Sequence, residues 1–229
     1  MALKVLVLII ASDNEPRYIE LQKLWRSYMH SDPEHVECYF IRGDHNLPIS
    51  NLYQLDGDVL WSRTKECTVP GILIKTIYSF EYFQPRLKEF DFVIRTNLSS
   101  FYIFPRLLDY LETLPKKGCY SGPLARRDLT AASGCGIIFS PDVVELIIKY
   151  RSLLIARCRV NYDDVVIWEL LSLNKTHITP SPLALVNNQE ALGQFLLNPP
   201  PPLEAFHLRV VYPDVYAELV KMFYPEALK

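Results

Sequence analysis

The sequence predicts an α/β fold in which helices cover both faces of one central, mainly parallel sheet. Strand-like runs alternate with segments of helical periodicity through the first half of the chain. Residues 3–10 are apolar on both faces, as in a buried parallel strand. The second half adds a hairpin-like pair of strands. These three observations indicate a three-layer α/β/α sandwich that forms a single domain over residues 1–229.

The elements of the first half follow from periodicity and from proline positions. Strands are predicted over residues 3–10, 36–41 and 90–94. Helices are predicted to begin near Pro16, after Pro70 and at Pro105, where proline suits a first helical turn. The first helix has apolar residues at helical spacing, which are Leu21, Leu24, Trp25 and Tyr28.

The second half is less regular. Residues 118–122 and 136–139 form the predicted hairpin-like pair. Helices are predicted to begin at Pro141 and at Asp163, the second of these running to about residue 173. Four consecutive prolines, residues 199–202, predict a stiff extended connector to a last helix over residues 214–224.

Composition and charge exclude several classes of protein. A formal net charge of −2 argues against a nucleic-acid-binding protein. No apolar run approaches the ~20 residues that a transmembrane helix needs, and residues 5–11 are too short, with only Lys4 before them, for a signal peptide. The five cysteines are odd in number and form no CxxC pair, which favours free thiols in a reducing compartment. A cytoplasmic protein is therefore expected.

Several catalytic signatures are missing. The chain has no GxxxxGK[ST] phosphate loop and no GxGxxG dinucleotide fingerprint. It has no GxSxG nucleophile elbow, and its five histidines show no HExxH or paired metal-ligand spacing.

Polar clusters follow three of the predicted strands. They lie at residues 12–14, 95–100 and 133–136. Ligands of open α/β sheets bind at the carboxyl ends of the strands, so these clusters are candidate binding segments. Such residues also terminate strands and cap helices. The Asp163-Asp164 pair is likewise compatible with simple capping of a helix N-terminus.

Taken in order, these segments resemble glycosyltransferases of the GT-A fold, specifically the fringe and β-1,3-galactosyltransferase-like group in its bacterial and large-DNA-virus branch. The segments that carry the resemblance are residues 3–10 with Arg17, Ile19 and Trp25, then 39–43, Asp58, 69–76, 90–96, 133–142 and 163–165. Residues 95–101 (RTNLSSF) resemble the form that this branch has in place of the DxD motif.

The resemblance implies the transfer of a sugar from a UDP- or GDP-sugar donor to a hydroxyl of a glycan or glycoprotein acceptor. Asp164 aligns with the acidic residue that acts as general base, and Asp163 is the alternative. Direct attack by the deprotonated acceptor implies inversion at the anomeric carbon. Residues 1–115 are expected to bind the nucleotide sugar, and residues 116–229 the acceptor.

Eight residues are expected to contact the donor: Ser12, Asp58, Lys75, Arg95, Asn97, Ser99, Gly134 and His207. Within this set Asp58 is expected to bind the base or the ribose, and Asp56 is its alternative. His207 stands where GT-A enzymes often place a late metal or phosphate ligand.

The chain departs from the resemblance at the metal site. Asn97 and Ser99 stand where most of the group has DxD carboxylates, and both are neutral, so they are poor ligands for a hard divalent cation. No protein ligand for a metal ion is predicted, and a divalent ion is expected not to be strictly required. Fixed cations must then neutralise the diphosphate, and the candidates are Arg95, Lys75, Arg63 and Arg209.

Two other classes of protein remain as alternatives. A non-catalytic relative that binds sugar nucleotides or glycans would explain the missing DxD carboxylates. A nucleotidyltransferase would share the nucleotide-binding sheet, but its first loop should be glycine-rich and basic, and residues 12–15 are neither.

Overall fold

The computed structural model describes residues 3–126, 129–158 and 161–228. The predicted domain also includes residues 1–2, 127–128, 159–160 and 229, which lie outside the described residues. The described residues form an α/β domain whose main sheet lies between two layers of helices.

Thirteen strands are present in the described residues. They are β1 (Val5–Ile10), β2 (Val36–Gly43), β3 (Tyr53–Asp56), β4 (Val59–Ser62), β5 (Phe92–Asn97), β6 (Ser100–Tyr102), β7 (Tyr120–Gly122), β8 (Leu124–Arg126), β9 (Leu129–Ala132), β10 (Gly136–Phe139), β11 (Thr179–Pro180), β12 (Ala184–Leu185) and β13 (His207–Arg209).

Eight α-helices accompany these strands in the described residues. They are α1 (Pro16–Tyr28), α2 (Gly71–Phe83), α3 (Phe104–Glu112), α4 (Pro141–Lys149), α5 (Arg151–Arg157), α6 (Asp163–Leu173), α7 (Gln189–Leu197) and α8 (Pro213–Phe223). The predicted helix starts near residues 16, 70, 105, 141 and 163 are confirmed to within about a residue.

The main sheet has the strand order β11-β7-β10-β5-β1-β2-β4-β3. Its centre is parallel, because β1 pairs in parallel with both β2 and β5, and β2 pairs in parallel with β4. Strand β10 joins antiparallel to β5, and β3 antiparallel to β4. The predicted fold class is confirmed, with a sheet that is parallel at its centre and mixed at its edges.

Alternate residues of β1 belong to two separate cores. Val7 and Ile9 pack in the core that includes α1, α3 and α8. Leu6 and Leu8 point to the other face and pack in the core that includes α2, α4 and α6. All six residues of β1 are buried, and this explains why the strand is apolar on both faces.

The strand predicted at residues 90–94 is Phe92–Asn97 in the structure. Polar residues at its end break the apolar pattern, but the backbone stays paired: Arg95 is opposite Leu8 of β1 and Ile137 of β10. Asn97 is therefore the last residue of a central strand, opposite Ile10, and does not lie in a loop after it.

A second, three-stranded sheet has the order β12-β13-β6 and was not predicted. Strand β13 runs antiparallel to β6, so that Arg209 lies opposite Ser100. Strands of two or three residues are too short to show a periodic pattern. This small sheet brings residue 209 to the end of β5.

No helix in the described part of the chain is both long enough and apolar enough to cross a membrane.

Candidate active site

An open cleft lies at the carboxyl edge of the central strands and has two adjoining cavities. The first cavity, of about 310 Å³, lies beside the end of β1 and the start of α1. The second cavity, of about 520 Å³, lies beside the loop before β10 and the start of α6. Four residues line both cavities, namely Ile10, Ile72, Asn97 and Arg209. Parallel α/β sheets bind ligands at this edge.

The first cavity brings together Ser12, Lys75, Asn97 and Ser99 of the predicted donor-binding residues. The second brings together Arg95, Asn97, Gly134 and Asp163. The polar cluster after β1, the one at the end of β5 and the one before β10 thus converge on one cleft.

Lys75 is almost fully buried in α2, and its charge is neutralised within the protein. Its ammonium group donates to the Glu66 carboxylate at 2.7 Å and to the backbone carbonyl of Ala11 at 3.0 Å. Burial lowers the pKa of Lys75, while the charge of Glu66 acts in the opposite direction. Because Glu66 also accepts from the amide of Gly43, this pair joins the ends of β1 and β2 to the segment before α2.

Arg95 is buried in β5, and its guanidinium group joins three parts of the cleft. It donates to the Asp163 carboxylate, to the backbone carbonyl of Gly134 and, at 3.4 Å, to Thr76 Oγ1. The Arg95–Asp163 ion pair is shielded from solvent, since both side chains are at least nine-tenths buried. Asp163 therefore fixes the start of α6 and is not a free base.

Asp164 is the neighbouring carboxylate in the first turn of α6, and no ion pair is recorded for it among the described residues. One carboxylate oxygen accepts from the amide of Gly134 at 3.4 Å, and the other from that of Val165 at 2.9 Å. Burial raises the pKa of Asp164 above the ordinary aspartate value, and the charge of Asp163 raises it further, against a smaller opposing effect of Arg95. Of the two acids, Asp164 is the better candidate for a general base, because its carboxylate is not held in an ion pair with a residue of the described chain.

Asn97 and Ser99 lie at the end of β5 and form a hydrogen-bonded group with Arg209. The Asn97 side-chain oxygen accepts from Arg209 Nη1 at 2.8 Å and from Ser99 Oγ at 3.0 Å. The guanidinium group of Arg209 therefore sits at the junction of the two cavities.

The residues at the DxD-like position do not suit a divalent metal ion. Asn97 and Ser99 carry no charge, and the Asn97 oxygen that would face a cation already accepts from a guanidinium group. Within residues 3–126, 129–158 and 161–228, no three His, Cys, Asp or Glu side chains are grouped so that they could hold a metal.

Asp58 is not brought to this cleft, contrary to its prediction as a donor-binding residue. It lies in the turn before β4, and β4 runs parallel to β2, so the turn is at the amino edge of the sheet. There the Asp58 carboxylate accepts two hydrogen bonds from Arg26, at 2.8 and 2.9 Å. Its alternative, Asp56, ends β3 at the same edge, opposite Val59.

His207 lies beneath the cleft and lines neither cavity. Its ring stacks on Tyr102 with centroids 4.4 Å apart, and the side chain is only 1% exposed. Burial lowers the pKa of His207 to about 3, and the charge of Arg209 acts in the same direction. The predicted role as a donor ligand does not fit this position, because the imidazole is enclosed in the core.

Arg63, a predicted cation for the diphosphate, lines neither cavity, and its Nε donates to the backbone carbonyl of Leu47 at 2.9 Å.

The sequence does not predict part of the first cavity, namely Glu15, Tyr18, Glu66, Cys67 and Thr68. These residues follow no motif. The pairing of Glu66 with Lys75 depends on how the loop folds back onto α2, which local sequence does not specify.

No protein-family model matches the chain, and no curated protein matches it in sequence. A solved structure does match: a glycosyltransferase involved in the glycosylation of the major capsid of PBCV-1. The TM-score is 0.54 at 7% sequence identity, and the alignment covers 96% of this chain and 99% of the other. The similarity therefore extends over the whole domain, and this chain has the fold of a glycosyltransferase.

Proposed function

We propose that this protein is a glycosyltransferase that moves a sugar from a nucleoside-diphosphate sugar to a hydroxyl of a glycan or glycoprotein, with inversion. The observation that carries the proposal is Asp164, a carboxylate of raised pKa that accepts a hydrogen bond from the amide of Gly134. Gly134 lines the second cavity, whereas Asp164 itself lies behind that wall and lines neither cavity. The glycosyltransferase fold supports it.

The first cavity suits the nucleoside of a UDP- or GDP-sugar. All of its lining residues except Arg209 belong to the first half of the chain, residues 1–115. Ser12, Asn14 and Thr68 offer hydrogen-bonding side chains, and Tyr18 offers an aromatic ring. Nucleotide sites commonly combine a few such polar groups with apolar walls.

The second cavity suits the transferred sugar and the acceptor. Asp164 accepts the proton of the acceptor hydroxyl while the oxygen of that hydroxyl bonds to the anomeric carbon. At the same time the bond from the anomeric carbon to the diphosphate oxygen breaks. The bonding electrons leave with the nucleoside diphosphate. Attack on the side opposite the leaving group inverts the configuration. Asp163 stays bound to Arg95 and keeps Asp164 in place beside Gly134.

The test is a screen of UDP- and GDP-sugars with wild-type protein and Asp164→Asn, following nucleotide release and transfer to a mixture of glycans. We expect Asp164→Asn to lower turnover about 10²–10⁴-fold, the range for general-base catalysis, with donor affinity unchanged. The rate should fall on acidification at a higher pH than an ordinary aspartate would give, because the base must be ionised and its pKa is raised.

A matched control is Asp142→Asn, which changes another first-turn aspartate, at the start of α4. Its turnover should equal that of wild type. Near-wild-type turnover of Asp164→Asn would remove this residue as the base. Donor binding by wild type without hydrolysis or transfer would instead identify a non-catalytic sugar-nucleotide-binding protein, which the neutral residues at positions 97 and 99 also suit.

A further inference from the structure

The further inference concerns Arg209, the cationic side chain at the junction of the two cavities. Its guanidinium group has five N–H donors, and its recorded hydrogen bond is the one from Nη1 to the Asn97 side-chain oxygen. No carboxylate of the described residues lies within ion-pair distance of it. Most of its donors therefore remain available to a ligand in the cleft.

The two other cations that line the cleft are neutralised by the protein. Lys75 pairs with Glu66 at 2.7 Å, and Arg95 pairs with Asp163. Both are buried, at 2% and 3% exposure of the side chain, whereas Arg209 is only partly buried. Among the cleft residues of the described chain, Arg209 is thus the cation whose charge is left for an anion.

The identity of residue 97 matters to this arrangement. An asparagine oxygen orients the guanidinium group of Arg209 without cancelling its charge, whereas an aspartate would neutralise it. The Ser99 hydroxyl donates to the same oxygen at 3.0 Å, and the Ser100 hydroxyl donates to it at 3.4 Å. The neutral side chains at the DxD-like position therefore position a cation that belongs to the protein itself.

We propose that Arg209, held by Asn97, binds the donor's diphosphate directly and takes the place of a divalent metal ion. This inference rests on the proposed function, because it assigns the charge partner of that reaction's leaving group. A donor with its nucleoside in the first cavity and its sugar in the second has its diphosphate at their junction. A planar guanidinium group donates two parallel hydrogen bonds to phosphate oxygens, and it stabilises the negative charge that develops there as the sugar leaves.

The experiment is a calorimetric titration with UDP and with GDP, each in EDTA and in excess Mn²⁺, followed by titrations with uridine and with guanosine. Wild type should bind at least one of the two diphosphates, with affinities that differ less than about tenfold between EDTA and Mn²⁺. In EDTA, Arg209→Ala should weaken diphosphate binding at least about tenfold. Uridine binding, or guanosine binding where GDP is the better ligand, should be unchanged, because the proposed contact of Arg209 is with the diphosphate and not with the nucleoside.

Two further variants separate charge from packing. Arg209→Lys keeps the charge and should lose less affinity than Arg209→Ala. Asn97→Asp changes no volume but pairs with Arg209, so it should weaken diphosphate binding in EDTA; Mn²⁺ should restore part of the loss, because the variant supplies a carboxylate ligand. Arg26→Ala, at the opposite edge of the sheet, is the matched control and should bind as wild type does.

The outcomes distinguish the two proposals. If neither diphosphate binds wild type under either condition, both the proposed function and the role of Arg209 are refuted. If a diphosphate binds but Arg209→Ala and Asn97→Asp leave its affinity unchanged, or if wild type strictly requires Mn²⁺, only the role of Arg209 is refuted. Thermal unfolding of each variant without ligand checks that the fold is retained, and Asn97→Asp tests the proposal even if Arg209→Ala does not fold.

Discussion

The two edges of the main sheet both have ion pairs, but the pairs differ in burial and in what they do. At the amino edge, Arg26 pairs with Asp58 and Lys116 pairs with Asp91, and these four side chains are 25–58% exposed. At the carboxyl edge, Arg95 and Asp163 are 3% and 9% exposed. The buried pair holds the Gly134 loop and the start of α6, whereas the exposed pairs hold no cavity wall of the cleft.

This difference shows that a charged residue at a strand end is a weak indicator of function. Exposed ion pairs typically contribute ~0–1 kcal/mol because water and salt screen them. A buried pair contributes little net stability but fixes its partners in position, and breaking one side leaves an uncompensated charge. Burial together with convergence on a cavity distinguishes the Arg95–Asp163 pair, because the Arg42–Asp13 pair at the same edge is more exposed, at 17% and 53%.

The comparison is tested most directly by removing one acid at each edge. Asp163→Asn should lower the free energy of unfolding by about 3–5 kcal/mol, because it leaves Arg95 buried without a counter-charge. Asp58→Asn should lower it by less than about 1 kcal/mol, because Arg26 returns to water. Urea unfolding of the two variants at neutral pH measures both changes, and equal losses would show that the two edges do not differ in this way.

Asp164→Asn is the control within the same helix turn. The pKa of Asp164 is raised in the folded protein, so its ionised form costs stability above the pKa of the unfolded chain. Removing that charge should therefore leave the free energy of unfolding unchanged or increase it. A loss as large as that of Asp163→Asn would contradict the assignment of the ion pair to Asp163 alone.

The second prediction concerns His207, which lies under the carboxyl edge. Its pKa is lowered to about 3 in the folded state, so below about pH 6.5 the unfolded chain binds a proton that the folded chain does not. Stability should fall as the pH drops from about 6.5 to 5, by up to ~1.4 kcal/mol per pH unit from this residue. His207→Phe should flatten the dependence in this range.

Denaturant unfolding at several pH values provides the measurement. His30→Phe, an exposed position near the amino edge, is the matched control. An unchanged slope in His207→Phe would mean that the histidine is not enclosed as the structure describes.

The smallest expected effect is on the labelling of Cys67, the exposed cysteine in the wall of the first cavity. The other four cysteines are buried, so a maleimide should react first with Cys67. At a UDP concentration of about ten times Kd, only about a tenth of the cavities are free, and labelling should slow up to about tenfold. Cys67→Ser should abolish the fast reaction. An unchanged rate with bound UDP would place the nucleotide elsewhere.

Much of this fold could be predicted from the sequence, because the longer elements have strong patterns. The apolar strand β1 and the prolines that begin α1 and α4 identify their elements without tertiary information. The rule that ligands bind at the carboxyl edge of a parallel sheet correctly brought Ser12, Asn97 and Gly134 to one cleft.

The remaining assignments depended on short strands that have no periodic signal. Asp58 could not be placed, because β3 and β4 have four residues each and their direction determines which edge it occupies. The role of Arg209 depends on β13, a three-residue strand. His207 was misplaced because both faces of β13 are covered near its start: His207 and Leu208 are both buried although strand neighbours point to opposite faces, and sequence alone does not show this.

The pairing of β13 with β6 also has a consequence for the order of assembly. Asn97 and Arg209 are 112 residues apart in the chain, and a contact between such distant residues forms only after a large loss of chain entropy. The main sheet can pair its central strands before this contact exists, so a nascent chain has no complete cleft until β13 is synthesised. If Arg209 binds the diphosphate as proposed, local opening of the small sheet releases it while the main sheet stays intact, and a bound diphosphate in turn slows hydrogen exchange at the β13 amides.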